Sequence, residues 1–217
     1  MDYAAARYRM VENQVRANRV IDERVISVVS ELPREEFVPE SKADIAYIDE
    51  ALEVDEGRYL MEPMVMARLL QSAQPKMSDV ALVIGSADGY SSAVLAKIVS
   101  TVVAVESNSK LIDKANSVLS KLEIDNVAVM EGSLTGGYPK QAPYDVIVFN
   151  GAVNEIPEGI TDQLAEGGRL VAVVDKGVGM GTIVIQTRVN GLTAEHDVFD
   201  AGTPFLPGYK SDPEFIF

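Results

Sequence analysis

The residues with the clearest capacity for chemistry are Gly85-Ser86-Ala87-Asp88-Gly89-Tyr90. They follow the apolar run Val80-Ala81-Leu82-Val83-Ile84 and precede the helix-forming stretch Ser91-Ser92-Ala93-Val94-Leu95-Ala96. A buried strand, a tight turn of small residues and a helix N-terminus together cradle nucleotide-type ligands, because backbone N–H groups and the helix dipole both face the turn. Glu106, with Ser107 beside it, ends the next apolar run, 21 residues beyond Gly85. A carboxylate at that distance is placed to accept hydrogen bonds from both ribose hydroxyls of a nucleoside. A dinucleotide fingerprint needs glycine at the first, third and sixth loop positions; here those are Gly85, Ala87 and Tyr90. Gly85 and Gly89 better suit the wider turn used for S-adenosylmethionine. The same small residues also allow a helix simply to pack close to a strand.

Two further strand ends carry polar groups. Glu131-Gly132 can place a carboxylate near an adenine amino group, or it is a polar turn. Asn150-Gly151 can line the reactive end of a cofactor, or it is a turn with local side-chain hydrogen bonding. His196 is the only histidine and falls in an alternating stretch far along the chain from these loops. A solvated structural role suits it better than a catalytic one. One histidine and no cysteine supply neither a Ser-His-Asp set nor a metal cluster, so no metal is expected. The absence of cysteine also excludes disulfides and thiolate catalysis, and it fits a reducing, cytoplasmic compartment.

The elements that must position these groups can be read from periodicity. Over residues 3–18 the apolar spacing is helical, and Asp22 can cap a second helix with the stripe Val25, Val28, Val29 and Leu32, stopped by Pro33. Residues 49–62 read as irregular with a turn at Gly57, and Pro63 suits the first turn of a helix running to about Ala73. Residues 1–75 therefore form an expected helical cap, and residues 76–217 an α/β core, within a single domain. In the core, apolar strands at 80–84, 101–105, 127–130, 145–149 and 169–174 alternate with helices at 90–99, 109–122 and 156–166. Such alternation means a mostly parallel sheet covered on both faces. Residues 182–188 and 192–199 then alternate around Asn190-Gly191, a strong hairpin signal, so the sheet ends antiparallel. The tail closes on the short apolar run Phe215-Ile216-Phe217.

Composition narrows the partners. Thirty-three acids against 19 bases give a net charge of −14, which opposes nucleic-acid binding. No apolar run approaches a membrane span, and the start, Met1-Asp2-Tyr3, lacks the basic and apolar regions of a signal peptide. Neither nucleic acid nor membrane is an expected partner.

Several segments, in order, resemble the protein-L-isoaspartate O-methyltransferases. Met10-Val11-Glu12-Asn13-Gln14-Val15 is similar to that family's M-V-x-x-Q motif followed by an aliphatic residue, and Pro33-Arg34-Glu35-Glu36-Phe37-Val38-Pro39 to its P-R-x-x-F-V-P segment. Asn126-Val127, Gly137-Tyr138-Pro139, Ala142-Pro143-Tyr144-Asp145 and Leu164-Ala165-Glu166-Gly167-Gly168-Arg169-Leu170 also match. The resemblance spans roughly residues 7–175. It implies a Rossmann-like S-adenosylmethionine-dependent methyltransferase fold that methylates the α-carboxyl of isoaspartyl residues in proteins or peptides. It also implies a cofactor site at Gly85, Ser86, Ala87, Gly89, Glu106, Ser107, Glu131, Gly132 and Asn150.

The chain departs from the family at several of these positions. The first-strand motif, close to E-I-G-x-G-x-G-Y, has Val83 for the acid and Ala87 for the middle glycine. The substrate motif G-Q-T-I-S-Q-P appears as Gly57-Arg58-Tyr59-Leu60-Met61-Glu62-Pro63. Arg58, Tyr59, Leu60 and Met61 are then expected at the substrate mouth, with Arg58 drawing in a carboxylate. Three readings stay open: a carboxyl methyltransferase of the isoaspartyl type, a non-catalytic relative that binds or regulates, and a methyltransferase with another substrate.

Overall fold

A computed structural model describes residues 1–177 and 180–209. The N-terminal third holds helices and one small hairpin. Helix α1 (Tyr3–Met10) starts where the Asp2 carboxylate accepts the Ala5 N–H at 3.0 Å, and it runs on through a wider turn at Val11–Val15. Helix α2 (Glu23–Glu31) is capped by Asp22, which accepts from the Arg24 N–H, and it stops before Pro33. The interval 49–62 is more regular than expected. It holds an antiparallel hairpin, β1 (Leu52–Asp55) and β2 (Arg58–Leu60), turned at Gly57 with φ +64°. Pro63 opens α3 (Pro63–Ala73) as expected.

The core is a seven-stranded sheet built from β3 (Val80–Ile84), β4 (Thr101–Glu106), β5 (Val127–Glu131), β6 (Tyr144–Val153), β7 (Leu164–Val174), β8 (Thr182–Val189) and β9 (Leu192–Asp200). Its order is β5-β4-β3-β6-β7-β8-β9, parallel from β5 to β7 and antiparallel beyond. Helices α4 (Tyr90–Ala96) and α5 (Ser109–Lys121) follow β3 and β4. The winding reverses between β3 and β6, so the carboxyl ends of those strands form the crevice where such sheets take ligands. Asn190 and Gly191, at φ +53° and +75°, form the turn joining β8 to β9. The Phe215-Ile216-Phe217 run lies outside the described residues.

The expected helix 156–166 is a correction. Only α6 (Glu158–Thr161) is helical, and Leu164 already belongs to β7. The local helix preference of Leu164-Ala165-Glu166 yields to pairing with β6, where Leu164 faces Tyr144 and the Tyr144 N–H donates to Gln163. Gly168 marks a point of close approach. A Cβ there would lie 2.8 Å from the Ala165 carbonyl oxygen and 2.9 Å from that of Tyr144.

Two arginines, one buried and one half-buried, tie the N-terminal elements to the core. Arg34, fully buried, donates from Nε to the Ala46 carbonyl at 2.7 Å and from Nη2 to that of Met61 at 2.6 Å, and its guanidinium sits 5.0 Å from the centre of the Tyr90 ring. Arg169 of β7 donates to the carbonyls of Ala73 and Gln74 at the end of α3, and its Nη2 lies 2.8 Å from Asp79. The N-terminal elements are thereby held over the crevice.

Candidate functional site

The loop Gly85–Gly89 keeps the backbone of a ligand-binding turn. Gly85, Ala87 and Gly89 have φ of +74°, +49° and +94°, a region that costs a residue with a Cβ about 1 kcal/mol or more. Ala87 therefore holds, under strain, a conformation natural to glycine. The loop N–H groups are turned inward: Gly85 and Ser86 both donate to the Val105 carbonyl, and Gly89 to that of Ser86. Gly85, Ser86, Ala87 and Gly89 are all buried, as is Val83 where the family has an acid.

Glu106 stands at the end of β4 as expected, beside this loop, and is fully buried. Its Oε2 accepts from the Ala87 N–H at 2.8 Å and from Arg58 Nη2 at 2.6 Å. Its Oε1 accepts from the N–H groups of Ser107 and Asn108 at 2.8 and 3.2 Å, and from the Ser107 hydroxyl at 3.4 Å. A carboxylate offers about four lone-pair sites. Five protein donors occupy them, so no acceptor is left for a ribose diol in this arrangement.

Arg58 is thus corrected in place. It was expected to meet a substrate carboxylate at an open mouth; it lies 4% exposed against Glu106 instead. Strand alternation carried a signal for this, because Arg58 and Leu60 share one face of β2 and Leu60 is buried. Tyr59 points to the other face and is half-buried. Leu60 and Met61, each 2% exposed, are core residues rather than lining of a mouth.

The remaining candidates divide. Asn150 is buried and locks the loop: its Nδ2 donates to the Gly85 carbonyl at 2.9 Å and its Oδ1 accepts from the Ser91 hydroxyl. Glu131 is exposed, in register with Glu106 across β4 and β5, and Gly132 follows with its N–H on the Glu106 carbonyl. Ser107 is exposed at the same edge. His196 lies exposed on β9, away from all of these.

Two features escaped sequence reasoning. The first is the segment 201–209, which crosses the ends of β3 and β6. Ala152 donates to the Pro204 carbonyl, Leu206 donates to that of Ala152, and Tyr209 caps the Leu134 carbonyl with its hydroxyl. A Cβ at Gly85 would meet Leu206 Cδ2 at 2.5 Å and Arg58 Nη2 at 3.1 Å, so both side chains converge on the loop. The second is the burial of Asp88. Burial pushes its carboxyl from 3.8 up to about 7, against a smaller opposing pull from Lys114 and Arg34. Arg58 Nε, Ser86 Oγ, Asp88 Oδ2, Tyr90 Oη and Ser92 Oγ are buried without hydrogen-bond partners.

The strand order, the reversal at β3 and β6, and an acid at the end of β4 define a Rossmann-like α/β protein of the S-adenosylmethionine-dependent methyltransferase class. A family model described as protein-L-isoaspartate(D-aspartate) O-methyltransferase matches residues 6–201. The chain is 39% identical, over 77% of its length and 76% of the relative's, to the protein-L-isoaspartate O-methyltransferase of Methanoculleus marisnigri. It is 37% identical, over 87% and 77% of the two lengths, to the protein-L-isoaspartate O-methyltransferase 1 of Rhodopseudomonas palustris. It also superposes with a TM-score of 0.79 on a solved protein-L-isoaspartate O-methyltransferase, at 26% identity, covering 94% of this chain and 66% of that one. A Plasmodium falciparum structure described by the same enzyme name, in complex with S-adenosyl-L-homocysteine, superposes with a TM-score of 0.79 at 21% identity, over 95% and 98% of the two chains. The chain belongs to the protein-L-isoaspartate(D-aspartate) O-methyltransferase family.

Proposed function

We propose that this chain is a protein carboxyl O-methyltransferase of the isoaspartyl type, taking its methyl group from S-adenosylmethionine. The observation that carries the reading is the family match over residues 6–201, with Glu106 standing at the end of β4 beside the loop 85–89. The substrate class is an isoaspartyl residue in a protein or peptide. We further read cap and core as one domain, working in the cytoplasm; the lack of cysteine fits that compartment. No helix among the described residues is long and apolar enough to cross a membrane.

Methyl transfer from a sulfonium to a carboxylate asks little of side chains beyond positioning and charge handling. The arrangement described above does not fit the cofactor as it stands, because Glu106 has no free acceptor and Leu206 lies against Gly85.

The test is transfer of a labelled methyl group to an isoaspartyl peptide, with the matching aspartyl peptide as control. Labelling of the isoaspartyl peptide alone is the expected result. Equal labelling of both would point to another substrate, and no labelling by folded protein to a non-catalytic relative.

A further inference from the structure

We propose that Arg58 is an internal ligand of the cofactor site: its guanidinium takes the place on Glu106 that a nucleoside diol would take, and the hairpin β1–β2 is the latch that holds it there. The inference rests on the methyltransferase reading and adds a regulation of the same site.

Four observations converge. Arg58 Nη2 lies 2.6 Å from Glu106 Oε2, with the two side chains 4% and 0% exposed. The other Glu106 contacts come from backbone N–H groups and the neighbouring Ser107 hydroxyl, so among the described residues Arg58 is the one side-chain partner brought from a distant element. The hairpin has a second tie nearby, where Asn108 Nδ2 donates to Asp55 Oδ2 at 2.6 Å. The segment beyond β2 is tied in turn to the crossing segment, since the Thr203 hydroxyl donates to Glu62 Oε2 at 2.8 Å. Arg58 and Leu206 thus close on Gly85 from two sides, and both elements are hydrogen-bonded to their surroundings on the same rim.

The chemistry of the exchange is that of two ligands for one carboxylate. A guanidinium and a vicinal diol each offer converging donors to an acid, and they cannot occupy the same lone pairs. The cofactor then binds only as Arg58 withdraws. The two short strands, of four and three residues, pair only with each other, and Leu52, Val54 and Leu60 hold their inner face in the core, so the group that withdraws is the Arg58 side chain. The family's residue at this position, in the motif G-Q-T-I-S-Q-P, is a glutamine, which carries no charge to hold on Glu106.

Calorimetric titration of the full chain and of Arg58→Gln with S-adenosyl-L-homocysteine, the inert product form of the cofactor, tests this. The expected result is binding by Arg58→Gln about tenfold tighter or more than by wild type. Equal affinities would overturn the latch while leaving the methyltransferase reading intact. Absence of binding by both, with both folded by circular dichroism, would overturn the latch and the methyltransferase reading together. If Arg58→Gln does not fold, Arg58→Met keeps the apolar stem and carries the same comparison with the same outcomes.

Discussion

Asp88 should make this protein less stable as pH rises from 5.5 to 8.5, and Asp88→Asn should abolish that loss. The carboxyl lies within the Gly85–Gly89 loop at 1% exposure, with Oδ2 unpartnered and only a long contact, 3.5 Å, from the Tyr90 N–H to Oδ1. Burial raises it from 3.8 to about 7. The folded chain then keeps a proton that the unfolded chain has already released. Stability from this group is fully present below the ordinary aspartate value and is lost as pH climbs to about 7. Each pH unit over which the two states differ by one proton is worth ~1.4 kcal/mol, so the whole span is worth about 4 kcal/mol. Most of that span lies too close to the pI of 4.5 for clean work. Between pH 5.5 and 8.5 the expected loss is about 2 kcal/mol, a fall in Tm of roughly 4–8 °C for a chain of this size. The assay is urea unfolding of wild type and Asp88→Asn across that range. The variant should be the more stable of the two, by a margin that widens by about 2 kcal/mol from the acid to the alkaline end. A constant margin would refute the reasoning, because Asp88 would then be ionised throughout, compensated by Lys114 and Arg34.

Two other substitutions probe the same region. Leu206→Ala removes the side chain that fills the space over Gly85 and Gly151, and it should cost about 2–4 kcal/mol in urea unfolding without weakening binding of S-adenosyl-L-homocysteine; a cost below about 0.5 kcal/mol would mean that the crossing segment is not packed there. Arg34→Met strands the carbonyls of Ala46 and Met61 and should lower stability by about 2–4 kcal/mol, read as a shift in the urea midpoint at constant slope. A neutral outcome would show that relief of the buried charge offsets the two lost hydrogen bonds.

Where burial is uniform, the sequence reads directly into structure. Val80–Ile84 is an unbroken apolar run because it lies at the middle of a parallel sheet, and its limits are those expected. Asn190-Gly191 announces the hairpin because few other residue pairs accept positive φ at both positions. Local signals failed where tertiary pairing decided. Leu164-Ala165-Glu166 favours a helix in isolation, yet β6 recruits it as a strand. The β1–β2 hairpin hides within a charged stretch, Glu53 to Arg58, because only Leu52, Val54 and Leu60 mark its buried face. The acid at 106 was readable from its distance to Gly85. Its partner was not, since no local pattern says where a guanidinium on a flexible stem will end.

The Arg58–Glu106 pair explains how one chain can keep the family's frame and still close its site. An unpaired carboxylate buried beside Ala87 would be costly, and in an open site water and ligand meet that need. Here Arg58 meets it from within, so the loop can bury fully around Ala87. Breaking such a pair by removing one partner costs about 3–5 kcal/mol. A ligand that displaces Arg58 while replacing its hydrogen bonds must overcome the part it does not replace. At ~1.4 kcal/mol per tenfold, half of that penalty already lowers affinity by about tenfold or more. The penalty is an exchange rather than a steric bar, because the long Arg58 stem can swing its guanidinium to water while the hairpin stays packed through Leu52, Val54 and Leu60. Leu206 adds a different constraint, one of volume, since it occupies the space over Gly85 without competing for charge. The two effects separate experimentally. Salt should weaken the Arg58 contribution once the pair opens to solvent, but it should leave that of Leu206 unchanged or stronger. Binding of S-adenosyl-L-homocysteine that tightens with added sodium chloride in wild type, but not in Arg58→Gln, would identify charge as the dominant closure. Equal salt dependence in both would assign it to Leu206.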